Sequence, residues 1–294
     1  MQSTSGYQLV QLAGGAHSVH SLAHRETFHP VIGPVAEAEA LYVRQLDLPA
    51  RVQRHAGEFV IWDVGLGAAA NALTVLRATR EISGAIRLVS FDHTLAPLEF
   101  ALQHAAELGY FHGYEPPLQS LLKKHHTNFK DADQHVQWEL HLGDFPTLLT
   151  HSLTHLPARA LPAPHAILFD AYSPAKNPAM WSALLFANLF KLLDPERPCA
   201  MPTYSRSTML RVTLLLAGFF VGAGHATGEK EETTIAANSL ALLDEPLPRT
   251  WLDRIARSTS AEPLWEPVYR QAPIAPATLA RLRLHPQFHL LTSN

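Results

Sequence analysis

The stretch Glu58–Leu76, EFVIWDVGLGAAANALTVL, restricts the possible folds of this chain more than any other. Phe59-Val60-Ile61-Trp62 is a short apolar run of β-branched and aromatic residues behind Gly57, which predicts a buried parallel strand. From Ala68 to Arg80 alanine and leucine dominate, predicting a helix. Between the two lies Asp63-Val64-Gly65-Leu66-Gly67. Its glycines let the backbone turn sharply and bring N–H groups to the positive end of the following helix. Strand, glycine turn and helix open a nucleotide-binding α/β fold. The spacing Gly65-x-Gly67-x-x-Ala70 also satisfies a dinucleotide fingerprint. Asp63 weighs against that reading: an acid there repels a pyrophosphate and suits a ligand with a cationic amino-acid end, such as S-adenosylmethionine (SAM). A tight turn with no ligand would look the same.

Composition narrows the class. The chain has 294 residues, 47% hydrophobic and 17% charged, enough apolar material for a sizeable core. No apolar run reaches the roughly 18 residues of a membrane helix; the longest, Val212–Val221, is broken by Gly218. No secretory signal is visible at the N-terminus. The one cysteine, Cys199, leaves no intramolecular disulfide and fits a cytoplasmic protein; it reads as a small buried strand residue. A net charge of −3 means that any nucleic-acid partner must use a local basic patch. The 18 histidines are scattered without paired helical spacing, so no metal is expected. His125-His126 reads as part of a polar loop.

Taken in order, Tyr7–Leu12 and Gly14-Gly15 predict a hairpin, and Val35–Arg44 a helix. The intervening group Arg25, Glu26, His29 and Glu37 is either a solvated charged surface or a substrate-side cluster. Ile86–Phe91 predicts the second strand, ending in Asp92, where doubly wound folds hold ribose hydroxyls; Leu95–Leu108 predicts a helix. Pro116-Pro117 and the polar stretch Lys123–Gln134 read as an excursion or lid. Val136–Leu142 is the third strand, followed by Asp144, which either accepts from an adenine amino group or caps the next helix. Ala166–Phe169 is the fourth, ending in Asp170, with a helix from Ala179 to Leu192. Cys199–Tyr204 is the fifth, followed by a helix over Ser205–Leu216. Phe219–Thr227 and Thr233–Asn238 around Gly228-Glu229-Lys230 predict an antiparallel hairpin. A parallel α/β sheet that ends in a hairpin is the SAM-methyltransferase variant, so the dinucleotide alternative loses ground. Beyond Leu240 the chain is proline-punctuated, with one helix near Thr250–Arg257.

The segment Phe169-Asp170-Ala171-Tyr172-Ser173-Pro174-Ala175-Lys176-Asn177-Pro178-Ala179-Met180-Trp181 resembles the D-G-F-A-P-x-K-N-P-x-x-W string of the MnmC-type methyltransferases. Glu26-Thr27-Phe28-His29, Gly33-Pro34 and Glu37-Ala38 are similar to that family's N-terminal E-T-Y-H-S…G-A…E-A pattern, and Ser90-Phe91-Asp92 to its S-F-E. The likeness runs from about residue 8 to 240. The chain departs from the family in its glycine turn (usually G-F-G-T-G-x-N), in Ala171-Tyr172-Ser173, and in Asp194-Pro195-Glu196-Arg197-Pro198 where P-G-G is usual.

The resemblance implies a class I SAM-methyltransferase: a doubly wound, seven-stranded α/β sheet with an antiparallel last strand. It implies an N-terminal extension over 1–57, a methyltransferase domain over 58–240 and a C-terminal extension over 241–294. It further implies N-methylation of the aminomethyl group on tRNA wobble uridine, hence a tRNA anticodon-loop partner. No FAD-dependent module is seen in this sequence, so a separate enzyme is expected to supply the preceding step. The alternatives are a SAM-dependent enzyme for a small amine and a non-catalytic binding relative. Asp63, Gly65 and Gly67 are assigned to the methionine end of SAM, Asp92 to its ribose and Asp144 to its adenine. Methyl transfer to nitrogen needs an unprotonated amine held by a carboxylate, and Asp170 is placed in that role. Glu26, His29, Glu37, Tyr172 and Lys176 are expected on the substrate side, Tyr172 by stacking and Lys176 on a phosphate; Trp181 reads as core.

Overall fold

The computed structural model describes residues 6–154, 161–228 and 231–290. The chain forms two compact units interleaved in sequence. The first takes the chain up to Phe145 together with Ala166–Asp170 and His225–Glu231. The second takes Pro146–His165, Ala171–Gly224 and the chain from Glu232 onward.

The first unit starts with an antiparallel meander of β1 (Tyr7–Gln11), β2 (His17–Ser21) and β3 (Glu26–Thr27). The helix expected over Val35–Arg44 is present in two pieces: α1 (Pro34–Ala38), opened by a proline whose fixed φ suits a first turn, then a π-helical turn over Glu39–Arg44. α2 (Leu48–Arg54) leads to β4 (Glu58–Val64). Next come α3 (Ala70–Thr79), β5 (Gly84–Asp92), α4 (Ala96–Gln103), α5 (Ala105–Leu108) and α6 (Glu115–Lys124). The unit closes with β6 (His126–Asp131), β7 (Gln134–Leu142) and β8 (Ala166–Phe169). The strand order is β8-β4-β5-β7-β6. β4 is buried on both faces, as a central parallel strand must be. It pairs in parallel with β5 on one side and β8 on the other, with Val64 opposite both Phe91 and Phe169. This is the switch point of a doubly wound sheet, where ligands bind beyond the carboxyl ends of the strands. The register therefore carries Gly65, Asp92 and Asp170 out of one edge of the sheet together.

The stretch Lys123–Gln134 is not an excursion or lid. After the last turn of α6 it forms β6, antiparallel to β7. Thr127 is buried while His126, Asn128 and Lys130 are exposed. A half-wet edge strand carries polar side chains on one face, and Lys130 is a charge of the kind that discourages edge pairing. His126 opens this strand, and His125 caps α6 with φ 60°. β6 is a strand beyond those expected, and the α/β class is unchanged.

α7 (Phe145–Thr154) leads into the second unit. There a 3₁₀ turn over Pro178–Trp181 precedes α8 (Ala183–Leu192), because the Ser182 hydroxyl caps α8 by accepting from Leu185 N. β9 (Ala200–Thr203), α9 (Thr208–Ala217), β10 (Phe220–Gly224) and β11 (Thr233–Ala237) follow, in the strand order β10-β11-β9. β11 runs antiparallel to both neighbours, as the expected hairpin requires; Glu229-Lys230 of its connection lie outside the described residues. α10 (Trp251–Ala256) matches the helix expected beyond Leu240, and α11 (Pro276–Arg283) and α12 (Gln287–Leu290) add two more. Among the described residues, no helix is long and apolar enough to cross a membrane.

Candidate active site

The glycine turn is held by its neighbours. Gly65 and Gly67 take φ 96° and 51°, conformations that favour glycine, and Ala69 joins them at φ 61°. The N–H groups of Gly65 and Leu66 donate to Phe91 O at 3.0 and 3.2 Å. A Cβ on Gly67 would lie 3.3 Å from the Phe28 ring, so the turn needs its glycine for both conformation and space. Asp92 closes the turn from β5: its Oδ2 accepts from Gly67 N at 2.9 Å, and its Oδ1 from His93 N at 2.7 Å.

Beneath the turn, Asp63 is fully buried at the end of a hydrogen-bond chain. Trp138 Nε1 donates to Ser90 Oγ at 2.9 Å, and the Ser90 hydroxyl donates to Asp63 Oδ2 at 2.8 Å. Asp63 Oδ1 is buried with no hydrogen-bond partner among the described residues. Burial pushes the carboxyl up to about 7 against the Ser90 hydrogen bond, with the charges of Asp170 and Asp92 adding to the rise. An orphaned buried acceptor at the foot of a glycine turn fits a ligand with a cationic end.

Asp170 follows β8, and its N–H donates to Val64 O at 3.0 Å, which places it beside the glycine turn. Its Oδ2 accepts from Asn71 Nδ2 at 2.8 Å and lies 3.4 Å from His29 Nε2. The other ring nitrogen, His29 Nδ1, lies 3.3 Å from Glu37 Oε1 on α1. Burial disfavours charge on the ring, but the Asp170 charge and the Glu37 hydrogen bond outweigh it and push His29 up to about 9. The N-terminal meander delivers this ring: Phe28 N donates to Val19 O at 2.8 Å, and the Ser18 hydroxyl donates to Phe28 O. The Tyr42 hydroxyl, carried by the π-helical turn, donates to Phe169 O at 3.2 Å, one residue before Asp170.

The first unit thus brings together Asp63, Gly65, Gly67, Asp92, His29, Glu37 and Asp170. Glu26 lies on β3, opposite Ser21. Asp144 is exposed beyond β7, and its charge adds to the rise in the His93 pKa that the Asp92 hydrogen bond chiefly causes. Tyr172 and Lys176 belong to the second unit. There the loop from Ala171 is pinned by the Tyr204 hydroxyl on Ala171 O at 3.0 Å and by Trp181 Nε1 on Tyr172 O at 2.7 Å. Lys176 is exposed on that loop, and Trp181 is wholly buried, as expected. Sequence reasoning missed Asn71, Ser90 and Trp138 as partners of the acids. One signal was present: asparagine is a poor helix former, so a buried one in the first turn of α3 implies a specific partner.

Among the described residues, His29, Glu37 and Asp170 are the group whose ligand atoms come within 4.8 Å of one another. The two ring nitrogens face different carboxylates, which suits the two N–H donors of an imidazolium.

Residues 114–239 match the sequence family described as S-adenosyl-L-methionine-dependent methyltransferase. With the glycine turn and strand-end acids at the switch point of a doubly wound sheet, this makes the chain a SAM-dependent methyltransferase of the class I α/β architecture. Within that class its sequence is similar to that of the MnmC proteins. It is 30% identical over 244 residues to the tRNA 5-methylaminomethyl-2-thiouridine biosynthesis bifunctional protein MnmC of Methylibium petroleiphilum, covering 80% of this chain and 35% of that one. It is 28% identical over 257 residues to the protein of the same name from Ralstonia nicotianae, covering 83% and 35%. The chain therefore spans about a third of the length of these relatives. The crystal structure of MNMC2 from Aquifex aeolicus shares the fold, with a TM-score of 0.69 over 95% of this chain and 84% of that one at 19% identity.

Proposed function

We propose that this chain transfers a methyl group from SAM to the primary amine of an aminomethyl-substituted wobble uridine in the tRNA anticodon loop. The observation that carries the reading is the placement of Asp170. A buried network holds its carboxylate beside the glycine turn, and it sits at the head of the segment most like the MnmC-type string. The name of the relatives supports the choice of nucleoside.

SAM, when bound, supplies an electrophilic methyl group. Asp63, Gly65 and Gly67 are assigned to its methionine end, Asp92 to its ribose and Asp144 to its adenine. Asp92 Oδ1 already accepts from His93 N and Thr94 N, while Oδ2 accepts from Gly67 N and keeps a second lone pair for a hydroxyl. The amine must be neutral to attack. Asp170 accepts a hydrogen bond from it, orients its lone pair, and takes one of its protons after the new N–C bond has formed. Alignment of this kind supplies up to about 7–11 kcal/mol of the barrier reduction. Tyr172 and Lys176 are assigned to a splayed-out base and a backbone phosphate, and Glu26 to the substrate side. We place the methyltransferase domain at 58–240, flanked by extensions over 1–57 and 241–294. The reading implies a cytoplasmic enzyme.

The test is incubation of the chain with methyl-labelled SAM and tRNA carrying the aminomethyl nucleoside, followed by nucleoside analysis. Label in the wobble nucleoside, reduced at least 100-fold by Asp170→Asn with SAM-dependent thermal stabilisation retained, is the expected result. A SAM-binding protein that labels small alkylamines and never tRNA overturns the reading.

A further inference from the structure

We propose that Glu37, His29 and Asp170 form a charge clamp, in which His29 is a positioning residue that holds the Asp170 carboxylate toward the amine and Glu37 keeps the ring charged without touching substrate. The inference rests on the proposed role of Asp170, and it reassigns His29 and Glu37 from substrate contact to the support of that acid.

Three independent features support it. The first is geometry. One imidazole spans two acids, 3.3 Å to Glu37 Oε1 and 3.4 Å to Asp170 Oδ2, with the side chains of His29 and Glu37 both 7% exposed. Two buried carboxylates flanking a neutral ring would leave one of them facing a lone pair; an imidazolium gives each a donor. The second is backbone conformation. His29 takes φ 47°, an uncommon conformation for a residue with a side chain, which costs about 1 kcal/mol or more and persists only where surrounding contacts impose it. The Phe28 backbone bonds to Val19 and Ser18 supply that constraint. The third is a second tether between the same two regions. Tyr42, on the π-helical turn that continues α1, hydrogen-bonds the carbonyl of Phe169. The N-terminal segment therefore grips the end of β8 twice, by main chain at Phe169 and by side chain at Asp170. Insertions of π geometry into helices are concentrated at functional sites.

The groups facing the ring can be named from each packed element. Glu37 comes from α1 and Asp170 from the end of β8, and both favour the charged ring. Behind Asp170 stand Asn71, neutral, on α3, and the acids Asp63 on β4 and Asp92 on β5. With His29 charged, the Glu37–His29–Asp170 group carries one net negative charge to meet the amine. Asn71 and His29 both bind Asp170 Oδ2, so the plane of the carboxylate is set from two directions.

The test is an NMR titration of the His29 ring in the full-length protein, assigned by sequential resonance assignment and checked with His29→Gln. It is run beside single-turnover methyl transfer. The expected midpoint is about 9. Glu37→Gln and Asp170→Asn should each lower that midpoint at least tenfold in proton concentration. Glu37→Gln should also move the alkaline fall of the methyl-transfer rate to lower pH, a change that a packing role would not produce. His29→Gln should lower kcat at least tenfold while the SAM Kd stays within threefold. A wild-type midpoint below 7 overturns the clamp, as does a midpoint unmoved by both acid substitutions. Displacement of the ring proton by millimolar Mg²⁺ or micromolar Zn²⁺ overturns it in favour of a cation site. If the His29→Gln protein does not fold, the wild-type titration and the two acid variants still decide. Failure of the tRNA reading is separately visible, as a ring that titrates near 9 in a protein that labels no tRNA.

Discussion

Asn71 Nδ2 donates to Asp170 Oδ2 across 2.8 Å, joining the first turn of α3 to the residue that follows β8, 99 positions away in the chain. The helix that begins at the glycine turn therefore also steadies the acid proposed to hold the amine. The proposed cofactor and acceptor sides of the site share one buried carboxamide, so a change in either is expected to be felt by the other.

Asn71→Ala should keep the fold and lose this link. A hydrogen bond to a charged group contributes about 1.5–3 kcal/mol, and orientation of Asp170 is the part that matters for rate. The expected outcome is a kcat lowered about tenfold, measured by single-turnover transfer, with the SAM Kd from calorimetry changed far less. Asn71→Asp should be worse, because it sets a second carboxylate against the first.

Gly67→Ala tests the turn. The new Cβ meets both a left-handed backbone, costing about 1–2 kcal/mol, and the Phe28 ring at 3.3 Å. SAM affinity should fall about tenfold or more by isothermal titration. Adding Phe28→Ala removes the steric part alone, so the double variant should recover part of the lost thermal stability and leave the conformational part. Strict additivity of the two substitutions would show that the ring contact has no energetic weight.

Asp63→Asn should stabilise the ligand-free protein in a pH-dependent way. The carboxyl has a folded pKa of about 7 against an ordinary 3.8, because burial opposes its charge. Its unfavourable contribution is absent below the unfolded value, grows as pH rises between the two, and is complete above about 7. Denaturant melts at pH 8 should favour the variant by a few kcal/mol, since each tenfold change in proton affinity corresponds to about 1.4 kcal/mol. Melts at pH 4 should not differ. The same variant should bind SAM more weakly, since it removes the anion at the foot of the turn. Equal melts at both pH values would show that Asp63 is not held in a costly charged form.

Gln287→Ala tests what the C-terminal segment does for the second unit. The Gln287 carboxamide, wholly buried on α12, accepts from Val221 N at 2.7 Å and donates to Val221 O at 2.8 Å and Leu247 O at 2.9 Å. It pairs with the two backbone groups of a β10 residue much as a neighbouring strand would. Truncation removes the Gln287 partner of Val221 N and Leu247 O, at about 1–3 kcal/mol each, while Val221 O keeps its bond from Leu247 N at 2.9 Å. The urea midpoint should drop accordingly while methyl transfer per folded molecule stays unchanged.

The frame of this protein was legible from local chemistry. Glycines at 65 and 67, apolar runs ending in Asp63, Asp92 and Asp170, and the hairpin after Gly218 identify a doubly wound SAM-methyltransferase. Strand, helix and turn preferences are properties of neighbouring residues, and the string from Asp170 to Trp181 added a family resemblance. The lid expected over Lys123–Gln134 shows where that reasoning stops. An edge strand is polar on its wet face, and only its pairing with β7 reveals it as a strand. The site shows the same limit more sharply. Trp138, Ser90 and Asp63 form one chain across separations of 48 and 27 residues, and Asn71 reaches Asp170 across 99. Which acid is buried, which is bridged by a histidine and which caps backbone N–H groups follows from how strands β4, β5 and β8 align their ends. Burial and partner charges set the ionisation of these groups, and both are properties of packed side chains that no window of sequence contains.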